Sequence, residues 1–318
     1  MKLDYFDLPI MAQDFLSYMD TIKGKSANTI SEYHYDLRSF FRFLKLHYKL
    51  VPNDAEFDSI VITDLDMNFI KKISLSDLYA FMSFLSIDKS NKVASRARKV
   101  ACIKSFFNYL TTKAKVLEIN PAKELEAPKL GKRMPKYLNI DESKQLLNSI
   151  DGDNKERDYA IITLFLNCGL RLSELVSLNI SQISSDKMTV IGKGNKERTV
   201  YLNHASKMAL NEYLRVRPKD GVKDKNALFL SERKQRISPR SIQYIVKKYI
   251  IAAGLDPEKI SPHKLRSTYG TNLYRETGDI YVVAEVLGHK DVNTTKRHYA
   301  AMSEDIRRSV ANKVKLRD

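Results

Sequence analysis

The chain has 318 residues, enough for two ordinary domains, and 43% of them are hydrophobic, so it can bury cores and is not a disordered tail. Lysine and arginine number 54 against 38 aspartate and glutamate, a formal net charge of +16 that favours a polyanionic partner. Nucleic acid is the commonest such partner. The rival is an anionic membrane surface, but the most apolar stretch, residues 160–170, is far too short to span a membrane.

The chain start and the cysteines favour a cytoplasmic protein. The first six residues lack the basic start and apolar run of a secretory signal. Cys102 and Cys168 both lie in apolar helical stretches, which favours reduced thiols over a disulfide. No group of cysteines and histidines has metal-ligand spacing, so the sequence predicts no metal site.

The first part of the chain is predicted to be helical. Thr29, with Glu32 three residues on, resembles a capping box. Apolar residues then recur at helical spacing, at Ile30, Tyr33, Leu37, Phe40, Phe41 and Leu44. Residues 51–70 are acidic and irregular and are predicted to be a loop or a short inserted element. Helical patterns return at residues 75–85 and 94–110.

A basic, proline-containing stretch, residues 127–137, is predicted to link a first domain, residues 1–126, to a second, residues 138–318. Such a linker between two basic domains would help to enclose a duplex, although a plain solvated tether is the alternative. Basic residues of the linker and of the preceding helix are candidate DNA contacts: Arg96, Arg98, Lys99, Lys129, Lys132 and Arg133. For the helix, a solvated face on a core helix is equally compatible with the pattern.

The second part is predicted to be mainly helical with a small antiparallel sheet. Asn139 and Glu142 cap one helix, and a buried helix over residues 159–167 ends at Gly169. Residues 188–191 and 199–202 read as strands of a hairpin around the turn at residues 192–195. A further helix begins with Ser238 as cap and Pro239 in first position. It carries candidate groove and phosphate contacts at Arg240, Gln243 and Lys247.

Four short segments of the second part contain candidate catalytic side chains. Arg171 and Glu174 are three residues apart, so they can pair on one helical face. Lys193 lies in the glycine-flanked hairpin turn, and His263 and Arg266 are again three apart. The last segment holds Gly288-His289 and, ten residues later, Tyr299. Taken singly, each has an ordinary explanation: a solvated arginine, a basic hairpin tip, an exposed tyrosine.

Taken together, these groups are the set that transesterification at a phosphodiester needs. Two arginines and a histidine can stabilise the charge that develops on the non-bridging oxygens without a metal. The Tyr299 phenol must lose its proton as it attacks, and His263 is a plausible base. Lys193 would protonate the leaving 5′ oxygen, His289 would donate to a non-bridging oxygen, and Glu174 would orient Arg171.

These motifs make the second part resemble the tyrosine recombinases, or phage integrase family, and most closely its Xer-like members. Residues Arg171, Lys193, His263, Arg266, His289 and Tyr299 fall on that family's catalytic positions, and Glu174 falls on its acidic helper position. Residues 25–110 resemble the family's helical, SAM-like core-binding domain. The acidic stretch at 51–70 departs from compact Xer proteins.

The resemblance implies a fold, a reaction and an assembly. Two basic domains would close on a duplex core site, and Tyr299 would form a 3′-phosphotyrosine bond that keeps the bond energy, so no cofactor is required. Four protomers, identical or of two kinds, would assemble on two sites at the nucleoid, with or without accessory proteins. The DNA would pass through a Holliday-junction intermediate. In the C-terminal tail, Met302, Ile306, Val310 and Val314 form an apolar face that would dock on a neighbouring protomer or pack on its own domain.

Several functions fit this set of residues. A site-specific recombinase could resolve chromosomes or plasmids, or it could integrate and excise a mobile element. A relaxing type IB topoisomerase uses closely similar chemistry, and a non-catalytic architectural DNA-binding protein would share the charge. The complete set of six groups favours an enzyme, and the predicted core-binding domain and apolar tail favour a recombinase.

Overall fold

A computed structural model of the protein describes residues 5–87, 91–129, 137–192, 197–288 and 292. The chain divides into two compact units, residues 1–132 and 133–318, each with its own hydrophobic core. The division falls within residues 127–137, where the sequence predicts a linker. Most of that stretch lies outside the described residues, so its role as a linker stays a prediction.

The first unit is a bundle of helices. Its helices are α1 (Ile10–Thr21), α2 (Ala27–His47), α3 (Met67–Ile70), α4 (Leu75–Ile87) and α5 (Val93–Thr112), with a 3₁₀ turn at Phe57–Ser59. Helix α2 contacts α1, α4 and α5. Aromatic rings fill the space between them: the ring centroids of Phe40 and Phe81 lie 5.2 Å apart. The helices predicted from the patterns at 75–85 and 94–110 are confirmed as α4 and α5.

Helix α2 begins earlier than the sequence predicts. The backbone of Ser26 is extended, and its hydroxyl accepts a hydrogen bond from the Thr29 backbone N–H at 3.4 Å. The predicted cap, Thr29, therefore lies inside the helix, and the prediction was wrong by three residues because the earlier serine satisfies the free N–H group. The predicted apolar face is confirmed, since Ile30, Leu37 and Phe40 are fully buried.

The acidic segment at residues 51–70 contains the 3₁₀ turn and α3, so a short inserted element is the better of the two predictions. Four of its apolar side chains are buried in the core: Ile60, Ile62, Leu65 and Ile70. Two of its carboxylates bind α2. The Lys45 ammonium lies 2.6 Å from the Asp64 carboxylate, and the Arg42 guanidinium lies 3.1 Å from the Asp58 carboxylate. The negative charge of this segment thus anchors it to a basic helix of its own unit.

The second unit is mainly helical, and a two-stranded antiparallel sheet lies among its described residues, as predicted. Its helices are α6 (Ile140–Asn148), α7 (Lys155–Cys168), α8 (Leu172–Ser177), α9 (His204–Val216), α10 (Pro239–Ala252), α11 (Pro262–Thr277) and α12 (Ile280–Leu287), with a 3₁₀ turn at Ile180–Gln182. Strand β1 (Lys187–Ile191) pairs with β2 (Glu197–Tyr201), and Val190 lies opposite Arg198. Both predicted strands are thereby confirmed.

Local signals set the helix ends of this unit. Asn139 and Glu142 form the predicted capping box of α6, each side chain accepting a hydrogen bond from the other's backbone N–H at 2.8 Å. Ser238 caps α10, also as predicted. Gly169 ends α7 at a φ of +57°, where a Cβ atom would lie 2.4 Å from the Tyr269 ring. Only glycine fits, and the end of α7 is held against α11.

Helix α7 forms the centre of the second core. Nearly every residue from 160 to 168 is buried, and the helix contacts α6, α9, α10 and α11. The end of α7 and the first half of α11 meet, since the Arg266 guanidinium donates to the carbonyl oxygen of Gly169. None of the helices in the described part of the chain is both long enough and apolar enough to cross a membrane.

Candidate active site

Three arginines from separate elements converge on the carboxylate of Glu174, which lies in α8 with only 1% of its side chain exposed. Arg171 precedes α8 and reaches one carboxylate oxygen at 2.6 Å. Arg198 on β2 and Arg266 on α11 reach the other oxygen at 2.9 and 3.6 Å. The predicted pairing of Arg171 with Glu174 is present, and the fold adds two arginines that are distant in sequence.

The backbone at two helix ends holds the same arginines. Arg266 donates to the carbonyl oxygen of Gly169 at 2.6 Å and to that of Leu287. Arg171 donates to the carbonyl oxygen of Gly288 at 2.8 Å. Carbonyl groups in the last turn of a helix have no helical partner and carry partial negative charge, so they favour a cation. The ends of α7 and α12 therefore fix the direction of both guanidinium groups.

Glu174 also closes the start of its own helix. Its second carboxylate oxygen accepts a hydrogen bond from the Arg171 backbone N–H at 2.8 Å. Burial alone would raise the pKa of Glu174, but the charge of Arg198, the Arg171 N–H and the hydrogen bonds of both arginines outweigh it and hold the pKa below its ordinary value. Glu174 is thus ionised at neutral pH.

The electrostatic balance of this cluster favours an anionic ligand. Three positive guanidinium groups around one carboxylate leave a formal charge of +2. The Arg171 side chain is 33% exposed, whereas that of Arg266 is 4% exposed. Solvent thus reaches part of the Arg171 side chain, whereas Arg266 is buried. Planar guanidinium groups held in fixed directions are the preferred protein donors to phosphate oxygens.

His263 lies one turn before Arg266, at the start of α11, and is exposed. Desolvation by the protein around its ring, together with the charges of Lys264, Arg266 and Arg171, lowers its pKa below the ordinary value. The imidazole is consequently neutral near pH 7 and can accept a proton. The structure thus brings four of the seven predicted site residues into one region: Arg171, Glu174, His263 and Arg266.

The other three predicted site residues, Lys193, His289 and Tyr299, lie outside the described residues. A neighbour in the chain is described for Lys193 and for His289. Lys193 belongs to the connection between β1 and β2, and His289 directly follows Gly288, whose carbonyl oxygen binds Arg171. The apolar face predicted at residues 302–314 also lies outside the described residues.

The candidate DNA contacts of α5 have partners within their own unit. The Lys99 ammonium is buried and lies 2.8 Å from the Asp36 carboxylate, so the prediction that it contacts DNA is not supported. Arg98 binds the same buried carboxylate at 2.5 Å and Glu32 at 2.9 Å. Arg96 donates to Ser86. A buried carboxylate needs compensating charge, and α5 supplies it.

The candidate contacts of α10 remain open to solvent. Arg240, Gln243 and Lys247 are all exposed, and so is Lys129 before the second unit, while Lys132 and Arg133 lie outside the described residues. Beside α10 lies an open cleft of about 910 Å³, and its lining includes Arg233, Arg240 and Lys248. Contact with DNA at these positions stays a prediction.

Arg198 is the residue of the cluster that the sequence did not single out. It lies in the basic hairpin motif, where an exposed arginine is the ordinary expectation. The strand pattern held a signal: residues 198 and 200 lie on one face of β2, and Val200 is buried. An arginine on the buried face of a strand needs an anionic partner, which Glu174 provides.

Comparisons with known proteins identify the family of the chain. The model of the phage integrase family matches residues 136–305. The chain is 54% identical to the tyrosine recombinase XerC of Caldanaerobacter subterraneus subsp. tengcongensis over 303 residues, which cover 95% of this chain and 86% of that one.

Two solved structures share the fold. The XerH recombinase bound to its palindromic difH substrate, in a post-cleavage complex, covers 98% of both chains with a TM-score of 0.71 and 20% identity. The lambda integrase tetramer bound to a Holliday junction covers 88% of this chain and 76% of its own, with a TM-score of 0.65 and 16% identity.

The fold and the family match define the second unit as the catalytic domain of a DNA strand-exchange enzyme. The chain belongs to the phage integrase family and is an Xer-like tyrosine recombinase, an enzyme that cleaves and rejoins DNA strands. Among the described residues, no three histidine, cysteine, aspartate or glutamate side chains are grouped so that they could hold a metal ion.

Proposed function

We propose that this protein recombines DNA at a specific core site through a covalent 3′-phosphotyrosine at Tyr299. The observation that carries the proposal is the fixed pair of Arg171 and Arg266 around Glu174, with a neutral His263 one turn away. Donors held in place before the reaction stabilise the extra charge of a pentacoordinate phosphorus without further reorganisation.

In the cleavage step, the Tyr299 oxygen bonds to phosphorus and the bond from phosphorus to the 5′ oxygen breaks. His263 accepts the phenol proton, and Lys193 gives a proton to the departing oxygen, so a free 5′-hydroxyl forms. Arg171, Arg266 and His289 bind the non-bridging oxygens, and Glu174 holds Arg171 in place. Since the phosphodiester energy is kept in the phosphotyrosine bond, a 5′-hydroxyl from another duplex reverses the step and exchanges strands, without metal or ATP.

Binding would use both units and several protomers. The net charge of +16 favours a duplex partner, and the two units would bind either side of one core site through residues that include Arg240, Gln243 and Lys247. A lambda integrase tetramer occupies a Holliday junction, and we propose the same number of protomers here, joined through residues 302–314. The enzyme would act at the nucleoid, on chromosomes, plasmids or a mobile element, alone or with a second recombinase.

The test is to map protein-linked DNA from the source organism's genome after denaturation, in excess chelator and without ATP. We expect one recurrent short site, with protein on the 3′ end and a free 5′-hydroxyl. A plasmid that carries two copies of that site should recombine. Loss of the adduct in chelator would reveal a metal site. Relaxation of a supercoiled plasmid that lacks the site would instead indicate a topoisomerase of type IB character.

The pH dependence of cleavage follows from His263. Because its pKa is lowered, the neutral base persists as the pH falls past the ordinary value of 6.5, and cleavage is expected to decline only below that pH. Single-turnover rates of adduct formation between about pH 5 and 8 measure this. His263→Gln should lower the plateau about 100-fold and remove the decline, whereas His204→Gln, an exposed histidine of α9, should change neither. A midpoint above pH 6.5 would contradict the assignment.

A further inference from the structure

Arg198 connects strand β2 to two other elements of the second unit. It lies on β2, opposite Val190, with only 15% of its side chain exposed. One terminal nitrogen donates to Glu174 at 2.9 Å, and the other donates to the carbonyl oxygen of Val286 at 2.5 Å. The strand that follows the Lys193 turn is therefore bonded both to the arginine cluster and to the last turn of α12.

Packing around this arginine is tight. A Cβ atom on Gly288, whose φ is +63°, would lie 2.8 Å from Cδ of Arg198 and 3.2 Å from its Nε. The Nε atom is itself buried and has no hydrogen-bond partner among the described residues. The glycine that precedes His289 thus packs its backbone directly on Arg198. The Arg198 side chain is therefore held in place by the bonds of its two terminal nitrogens.

We propose that Arg198 is a positioning residue that fixes the β1–β2 hairpin against Glu174 and the end of α12, and thereby sets where Lys193 meets the leaving 5′ oxygen. The inference rests on the proposed function, in which Lys193 is the acid. Arg198 follows Lys193 by five residues in the chain, and its two bonds fix the beginning of the strand that follows the turn. Without that anchor, β2 keeps its partner strand but loses its link to the cluster.

The chemistry of the leaving group separates this role from a merely structural one. When the bond from phosphorus to the 5′ oxygen breaks, the electron pair stays on oxygen, which needs a proton from Lys193. A sulfur atom at the same position leaves as a thiolate, because thiols have a pKa of about 8.5 and need no general acid. A defect in the position of the acid is therefore relieved by sulfur, whereas a defect in phosphate binding or folding is not.

The experiment compares Arg198→Ala and Arg198→Lys with the native enzyme on two duplexes that carry the mapped site. The duplexes differ only in oxygen or sulfur at the 5′ bridging position. We expect Arg198→Ala to cleave the oxygen substrate about 100-fold more slowly than the native enzyme and the sulfur substrate at close to the native rate. Arg198→Lys, which cannot reach both acceptors, should lie between. The cleavage rates of the two substrates are measured on the same protein preparation, so their ratio does not depend on the fraction of the protein that is folded.

Two further variants complete the design. Lys193→Ala should show the same relief by sulfur. Arg217→Lys should keep the native ratio, since Arg217 is a buried arginine that donates to backbone carbonyls at Leu228 and Ala227. If Arg198→Ala is equally slow on both substrates while Lys193→Ala is relieved, this inference is overturned alone. If the native enzyme forms no adduct, the proposed function fails with it.

Discussion

Tyr299→Phe is expected to abolish the covalent complex between protein and DNA while leaving DNA affinity nearly unchanged. The phenolic oxygen is the atom that bonds to phosphorus, and phenylalanine keeps the ring without it. Loss of a nucleophile lowers the rate by at least about 10⁴-fold, so no adduct should be detectable in a single-turnover assay. The measurement pairs a denaturing gel for the adduct with a native binding titration on the same duplex, which carries the mapped site.

The chain has 17 tyrosines, so the substitution needs matched controls. Tyr269 is the strongest rival among the described tyrosines because it packs on Gly169 beside the arginine cluster. Burial, with a smaller effect of Cys168, raises the pKa of Tyr269 although Arg198 lowers it, which makes its phenol harder to ionise. Tyr269→Phe and the exposed Tyr281→Phe should both retain the adduct. An adduct that survives denaturation in Tyr299→Phe would show that another residue is the nucleophile.

Several other described tyrosines are engaged in the fold. The Tyr249 hydroxyl donates to the buried Asp158 carboxylate at 3.0 Å, and the Tyr213 hydroxyl donates to the Leu228 carbonyl oxygen at 3.2 Å. Burial raises the pKa of both phenols, and burial with Asp77 raises the pKa of Tyr48 to about 12. A phenol already committed to an acceptor and hard to ionise is a poor nucleophile.

The sequence predicted well those features that depend on residues close together in the chain. The capping box of Asn139 and Glu142 and the left-handed Gly169 depend on three or four consecutive positions, and both are present. The start of α2 was displaced because two residues of similar capping ability, Ser26 and Thr29, are three positions apart. The sequence alone does not show which of the two residues caps the helix, because the cap is the residue whose backbone is extended.

What the sequence could not predict are partners brought together by the fold. Arg171 and the carbonyl oxygen of Gly288 are 117 positions apart, and no periodicity links them. The same limit explains Lys99: its charge was visible, but Asp36, 63 positions away, was not recognisable as its partner. The types of the reactive residues and their order in the chain therefore indicated the chemistry. The groups that hold these residues in place could be identified only from the folded structure.

Glu174→Gln is expected to destabilise the protein by about 3–5 kcal/mol at neutral pH, because it removes the carboxylate that compensates three arginines in a buried site. The loss should depend on pH. Since the pKa of Glu174 is lower in the folded protein than its ordinary value, its ionised form contributes stability above the ordinary pKa. That contribution disappears as the pH falls through the lowered pKa of the folded state.

The free energies of unfolding of the native and Glu174→Gln proteins should thus differ most above about pH 5 and converge as the pH falls below about 4. Denaturant titrations across this range measure the difference. Glu212→Gln, an exposed glutamate of α9, is the matched control and should stay within about 0.5 kcal/mol of native at every pH. A constant difference across the range would mean that Glu174 acts through shape and hydrogen bonds and not through charge. The same carboxylate binds the Arg171 guanidinium, so cleavage should fall together with stability at neutral pH. A variant that lost stability but cleaved at the native rate would show that Glu174 does not position Arg171 for cleavage.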